Sequence, residues 1–478
     1  MKNSICTKVV VGVLAVLLVV LASCSSPVSI SATTTETTDT ITSSTADVSQ
    51  PASGKALPGN PPESTSPGGG PPPTGNPPGG ALPGGGSQHV ETGTGAYVLA
   101  NGELLSGGTY TSTNVDENVI RAEGNTTASL KGVLVEKTNG STSSNDESSF
   151  YGLNAAILAL DNATLTISGG SVTATTEGAN GVFAYDGATI NITDTVINVS
   201  GGNAGGIEVA GGGTLNATNL TVNATVKAAI RSDRGGGTLT IDGGTYTTGG
   251  STGAPAIYST ANIIVSNATL TANTSEAVVV EGFNSVTLTN CTITGNMEGT
   301  YSKSGNENIH NVMLYQSMSG DAEAGTSSFS MTGGSLVSKN GDMFYVTNTS
   351  SVITLSRVNI TPADGTFLLR VSGNSNSRGW GKAGSNGGKA TFNLSEQVLT
   401  GDIFVDSIST LEINISKSSA FTGSINSDGT QASSLAVILD PSSTWTLTAD
   451  SYITMFDGNV ASVITNGHTL YVNRIVLK

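Results

Sequence analysis

Glu208, Arg231 and Tyr258 each follow an isoleucine directly (Ile207, Ile230 and Ile257), in segments spaced about two dozen residues apart. A carboxylate, a guanidinium and a phenol at equivalent places in successive repeats can bond sugar hydroxyls or move protons. Neighbouring segment ends add Asp233, Arg234, Glu281, Tyr315, Gln316 and Tyr345. A later Gly/Ser-rich stretch adds Arg370, Arg378, Trp380 and Lys382. The chain is only 11% charged and 5% aromatic, so this concentration stands out. Tyr and Trp supply stacking surfaces and Arg, Asp and Glu bond hydroxyls, which makes a carbohydrate or glycan the expected ligand. The competing reading is ion pairing between repeats on a solvated face, Glu208 with Arg231, which contributes little to stability.

Catalytic and metal-binding patterns are sparse. The three histidines are His89, His310 in a stretch read as a loop, and His468, and none lies beside paired carboxylates. There is no Asp-Asp pair and no calcium-binding G-G-x-G-x-D repeat. Neither a metal nor a cofactor is therefore expected. A net charge of −16 reads as diffuse solubility charge and argues against nucleic acid or an anionic membrane surface as partner.

The elements that position these residues come from a repeat. From Asn154 the chain reads NAAILALDNATLTISGGSVTATT, then NGVFAYDGATINITDTVINVS from Asn180. GGIEVAGGGTLNATNLTVNAT, AAIRSDRGGGTLTIDGGTYTT, PAIYSTANIIVSNATLTANT and AVVVEGFNSVTLTNCTITG follow. The equivalent apolar residues Ile157, Val182, Ile207, Ile230, Ile257 and Val278 are about 21 to 27 residues apart. Each unit carries three short alternating segments broken by Gly or Asn, which read as strands. Three strands in two dozen residues predict one rung of an all-β, right-handed parallel β-helix, a solenoid of three-stranded rungs. Leu165 and Ile167 should point inward, with Ile190/Ile192, Leu239/Ile241 and Val286/Leu288 replacing them on later rungs. Thr164 and Thr166 should point outward. Gly169-Gly170, Gly243-Gly244 and Gly333-Gly334 mark turns. The pattern extends back to VIRAEGNTTASLKGVLVEKT and forward through MFYVTNTSSVITLSRVNITP.

Three stretches exceed the rung length and read as loops on one side: residues 296 to 311, residues 319 to 328, and the segment after Val371. Insertions in solenoids collect on one face, often the binding face. Outward Thr164, Thr189, Thr214, Thr238 and Thr287 form a column of the kind that orders water in ice-binding solenoids, although strand propensity alone accounts for it. The Asn-x-Thr triplets read as turn Asn followed by strand Thr.

Residues 1–23 have a signal-peptide layout: Lys2 and Lys8, an apolar run from Val9 to Leu21, then Leu21-Ala22-Ser23-Cys24. The run is too short to span a bilayer comfortably. The last four residues match the bacterial lipobox, which implies cleavage before Cys24 and attachment of diacylglycerol to its sulfur, with a third acyl chain, such as palmitate, on the new amine. Two or more acyl chains anchor stably where one is marginal. Cys6 leaves with the signal, so only Cys291 remains, expected as a buried inert thiol. Residues 24–87 are a Ser/Thr tract followed by a Pro/Gly tract without apolar periodicity, expected to be a disordered stalk. The β-helix is expected over 88–478.

The repeat resembles bacterial right-handed β-helix surface proteins of the pectate-lyase-like superfamily, over essentially everything after residue 90. The final part, TGDIFVDSISTLEINISKSSAFTGSIN through SSTWTLTADSYITMFDG, is similar to the C-terminal coils of autotransporter adhesin passengers, with Trp445 in the last Trp-containing strand. In place of the membrane barrel of those proteins, which is not expected after Lys478, the lipid anchor is expected to hold this chain. The resemblance implies a lipid-anchored, surface-exposed protein of the cell envelope that adheres to a host or neighbouring cell or binds an extracellular glycan. It offers two alternatives: a polysaccharide lyase or glycoside hydrolase, or a structural surface protein.

Overall fold

The structure, a computed structural model, describes residues 92–250, 253–298, 308–375 and 380–478. The expected signal peptide, Cys24, the stalk, His89 and Arg378 lie outside the described residues.

Each sequence repeat closes one turn of a solenoid. The unit from Asn154 forms strands Ile157–Ala159, Thr164–Ser168 and Ser171–Ala174. The next forms Val182–Ala184, Thr189–Thr193 and Val196–Val199. Across these rungs equivalent strands pair in parallel without slippage, so Leu165, Ile190, Leu215, Leu239, Ile263 and Val286 stack in one inward column. All six are completely buried. A slip of one residue would turn this column to solvent, so the hydrophobic pattern fixes the register. The outcome is three long parallel sheets of 12, 14 and 10 strands, a right-handed parallel β-helix of three-stranded rungs.

Turns between faces fall where the glycine pairs predict. Gly170 has φ +80°, and a Cβ there would sit 2.1 Å from the Val133 carbonyl oxygen of the previous rung. The third sheet ends at Asn359–Thr361, and Val398–Thr400 then opens a separate four-stranded sheet. Leu470–Val472 and Ile475–Val476 close the chain as an antiparallel pair. Trp445 is buried and donates its indole N–H to the Gly423 carbonyl at 2.9 Å. Cys291 is buried, and burial pushes its thiol up.

Several expectations are corrected. His310 begins the strand His310–Tyr315 rather than lying in a loop, and the loop read over 319 to 328 ends where the strand Thr326–Thr332 begins. Thr287 is not in the column of Thr164, Thr189, Thr214 and Thr238; it pairs with Ile264, two residues further along. The Glu208–Arg231 pair is not solvated: Glu208 is 0% and Arg231 5% exposed.

A helix, Asn145–Tyr151, is also present where only strands were expected. Ser144 caps it by accepting from the Glu147 amide at 3.3 Å, and Gly152 ends it at φ +78°. A Ser with Glu three residues on, followed by Gly after the last turn, is a helix start-and-stop signal. The signal is present in the sequence but short, and it sits within a long stretch of strand texture. Ser144→Ala should destabilise this helix by about 1 kcal/mol, so its amides should exchange about fivefold faster while strand amides stay unchanged. Unaltered exchange of the Asn145–Tyr151 amides would show that packing alone holds the helix.

Candidate functional site

The first sheet carries the charged column. Leu158, Phe183, Glu208, Arg231, Tyr258 and Val279 are paired rung to rung, and the column continues through Met313, Tyr345, Arg370 and Phe404. All point away from the core, yet most are buried because two insertions cover the sheet from outside. At one end the helix Asn145–Tyr151 ends in Gly152, which packs against Leu158 and Phe183. At the other, Trp380 packs with Tyr315, Tyr345, Met313 and Val279. Between them lies a cavity of about 420 Å³, within the size range of small-molecule sites.

Charge is concentrated on the cavity floor. Arg231 Nη1 lies 3.1 Å from Glu208 Oε1, and Arg231 Nη2 is bonded to Asp233. Two carboxylates share one guanidinium out of water. Burial drives the Glu208 carboxyl up to about 8, an effect that Arg231 only partly offsets, and burial also raises Asp233. Burial acts to lower Arg231, but the two carboxylates outweigh it and the net shift is upward. Glu208 Oε1 is buried and accepts no hydrogen bond despite its closeness to Arg231. Lys227, half-buried at the rim, is lowered to about 8, first by repulsion from Arg231 and then by burial.

The aromatic wall is fixed by a second buried carboxylate. Glu281 Oε2 accepts from Tyr258 Oη at 2.5 Å and from Tyr315 Oη at 2.9 Å, while Oε1 accepts from Ser317. These bonds set both phenols, and the Trp380 ring lies 4.7 Å from that of Tyr315. Burial drives the Tyr258 phenol well above its ordinary value, with Tyr315 and Glu281 adding to the shift. Arg234 ties the two covers together. Its guanidinium lies 3.9 Å over the Phe150 ring of the helix, and its Nε is 2.6 Å from Asp321 in the loop after Tyr315.

Of the residues singled out by sequence, Arg231, Asp233, Tyr258, Tyr315 and Trp380 line the cavity. Glu208, Arg234, Glu281 and Tyr345 support it from behind or beside. Gln316 donates to the Ala322 carbonyl at 3.3 Å. Arg370 stands apart, bonded to Asp342 at 2.5 Å and packed over Phe367 and Phe404, and Lys382 is exposed. Sequence reasoning missed Lys227, Glu276, Asp321 and Phe150. Lys227 and Glu276 lie just before their first strands, so an alignment anchored on Ile230 and Val278 would have exposed them.

A larger hollow of about 930 Å³ opens where the third sheet is interrupted, lined by residues such as Arg357, Asp364, Glu396 and Asp402. Its ion pair, Arg357 with Glu396, is about half exposed on both sides, so water screens it. Buried charge and aromatic walls make the smaller cavity the candidate site, whatever the volumes. Among the described residues no group of three or more His, Cys, Asp or Glu is arranged to hold a metal ion.

No family model, no curated protein and no solved structure matches this chain. Fold and site together define a class: a right-handed parallel β-helix with a walled, charged and aromatic cavity on the outside of its first sheet.

Proposed function

We propose that this chain is a lipid-anchored cell-surface protein that binds an extracellular glycan in the cavity over Arg231 and Tyr258. The observation that carries the reading is the combination of four aromatic rings, Phe150, Tyr258, Tyr315 and Trp380, with charged groups around a space of about 420 Å³. Sugars present apolar ring faces and a fringe of hydroxyls; aromatic rings stack on the first, and carboxylates and guanidinium groups bond the second. The two tyrosines are held in place before any ligand arrives, which lowers the ordering cost of binding. The lipobox at Cys24 and the Pro/Gly-rich stretch after it support display away from a membrane.

The test is a glycan array probed with the intact protein, with soluble polysaccharides assayed in parallel for new reducing or unsaturated ends. Retention without cleavage is expected. Trp380→Ala should weaken it about tenfold, the loss of one aromatic contact of about 1.4 kcal/mol. Cleavage would overturn the binding reading and make the cavity an active site, a role that the lowered Lys227 ammonium beside Arg231 would suit as a base. Failure to retain any glycan would remove the site's proposed ligand class altogether.

A further inference from the structure

Lys227 is the lining cation whose charge is left unanswered among the described residues. Arg231 is answered by Glu208 and Asp233, and Asp321 by Arg234. Among the described residues Lys227 finds no ion-pair partner and no side-chain hydrogen bond, although its neighbour Arg231 repels it. It stands at the edge where its loop enters the strand Ile230–Ser232.

Two rungs further along the same edge is Glu276, 9% exposed, which accepts from Ser275 Oγ at 2.5 Å and has no cationic partner among the described residues. At roughly 4.8 Å per rung the two groups are about 10 Å apart along the axis. The cavity is thus cationic at one place and anionic at another. Along the solenoid axis the helix Asn145–Tyr151 blocks one end, and Tyr315 with Trp380 blocks the other. An extended polymer lying along the sheet would collide with both.

We propose that the cavity takes the terminal unit of a glycan carrying a single carboxylate, with that carboxylate placed at Lys227 and the unit's hydroxyls turned toward Glu276. This rests on the glycan reading above and narrows it. A carboxylate beside Lys227 supplies the missing counter-charge and relieves the repulsion from Arg231. A second carboxylate would be driven toward Glu276 or Asp321, so a polyanionic chain is disfavoured by charge as well as by shape. The protein's net charge of −16 repels anions at long range, which makes a local cation necessary for an acidic ligand.

The pH dependence follows from the groups around Lys227. Arg231 and Asp233 face it from the strand, Glu208 from the previous rung and Asp321 from the loop. Asp146, Glu276, Tyr258 and Tyr315 line the remaining walls. A bound carboxylate favours the protonated amine, so affinity should be flat between about pH 5, above the ligand carboxylate's own titration, and about pH 7, and fall as pH rises through about 8. Ionisation of Glu208 over the same range adds negative charge and acts in the same direction.

The experiment probes the intact protein with matched glycans that differ only in the terminal residue, a hexose or the corresponding hexuronate, alongside an oligouronate with a carboxylate on every unit. The acid-terminated member should bind at least tenfold tighter than its neutral match, and the oligouronate no tighter than the single acid. Lys227→Met should abolish the acid preference, so that acid-terminated and neutral members bind alike; Lys227→Arg should retain the preference and shift its loss to higher pH. Glu208→Gln should keep the decline above pH 8, because Lys227 is still present. Equal binding of neutral and acidic members, or a preference that survives Lys227→Met, would overturn the inference and leave the glycan reading standing. Binding of none of the probes would overturn both.

Discussion

Glu208→Gln should flatten the pH dependence of unfolding between about pH 5 and 8. Glu208 is fully buried, and its carboxyl is driven from 4.5 to about 8 in the folded chain. A raised folded value means the folded state holds a proton that the unfolded state releases. The stabilisation from that proton is complete below about 4.5, declines as pH rises, and is gone above about 8. The slope is about 1.4 kcal/mol per pH unit over that window, or about 4 kcal/mol between pH 5 and 8. Glutamine has the same shape and no proton to lose, so the variant should lack this slope. Asp233 is also raised and contributes a decline of the same sign that both proteins share. The measurement is urea unfolding of both proteins at pH 5, 6.5 and 8. Curves that converge at low pH and separate in favour of the Glu208→Gln variant as pH rises are expected; parallel curves would show that Glu208 stays ionised beside Arg231.

The contrast between what is legible in the sequence and what is not follows from which interactions repeat. The inward column through Leu165, Ile190, Leu239 and Val286 recurs every rung, and recurrence is visible in a sequence without any structure. The same alignment places Glu208, Arg231 and Tyr258 side by side, as they stand. What a repeat does not reveal is anything that happens once. The helix Asn145–Tyr151 interrupts a single rung, and Arg234 meets Asp321 across 87 residues of chain. These covers turn an outward face into a buried one, which is why a pair expected to be solvated proves to be desolvated. Trp380 stands out by residue type rather than by any spacing, and its packing on Tyr315 depends on a loop path that no periodicity encodes. The expected lipidation of Cys24 and the stalk rest on sequence alone, since both lie outside the described residues.

Arg231→Met should be among the most destabilising single changes on the outside of the solenoid. The side chain is 5% exposed, and its guanidinium is the only cation placed to bond both Glu208 and Asp233 among the described residues. Met roughly preserves the apolar stem and its packing, so the loss isolates the charge. Removing one partner of a buried pair leaves the other desolvated without compensation, at a cost of about 3–5 kcal/mol. Asp233 bears most of it, because Glu208 escapes by keeping its proton and Asp233, 4% exposed, has in addition only the Arg234 amide at 3.0 Å among the described residues. The same reasoning predicts the rescue. Adding Asp233→Asn to Arg231→Met removes the stranded charge, so the double variant should recover more than half of the loss. A coupling energy of several kcal/mol in this cycle, read from urea unfolding at pH 7, would establish that the triad is held together by mutual need. If Arg231→Met costs under about 1 kcal/mol, water must reach the cavity floor and screen Asp233, and the picture of a dry, charged floor fails.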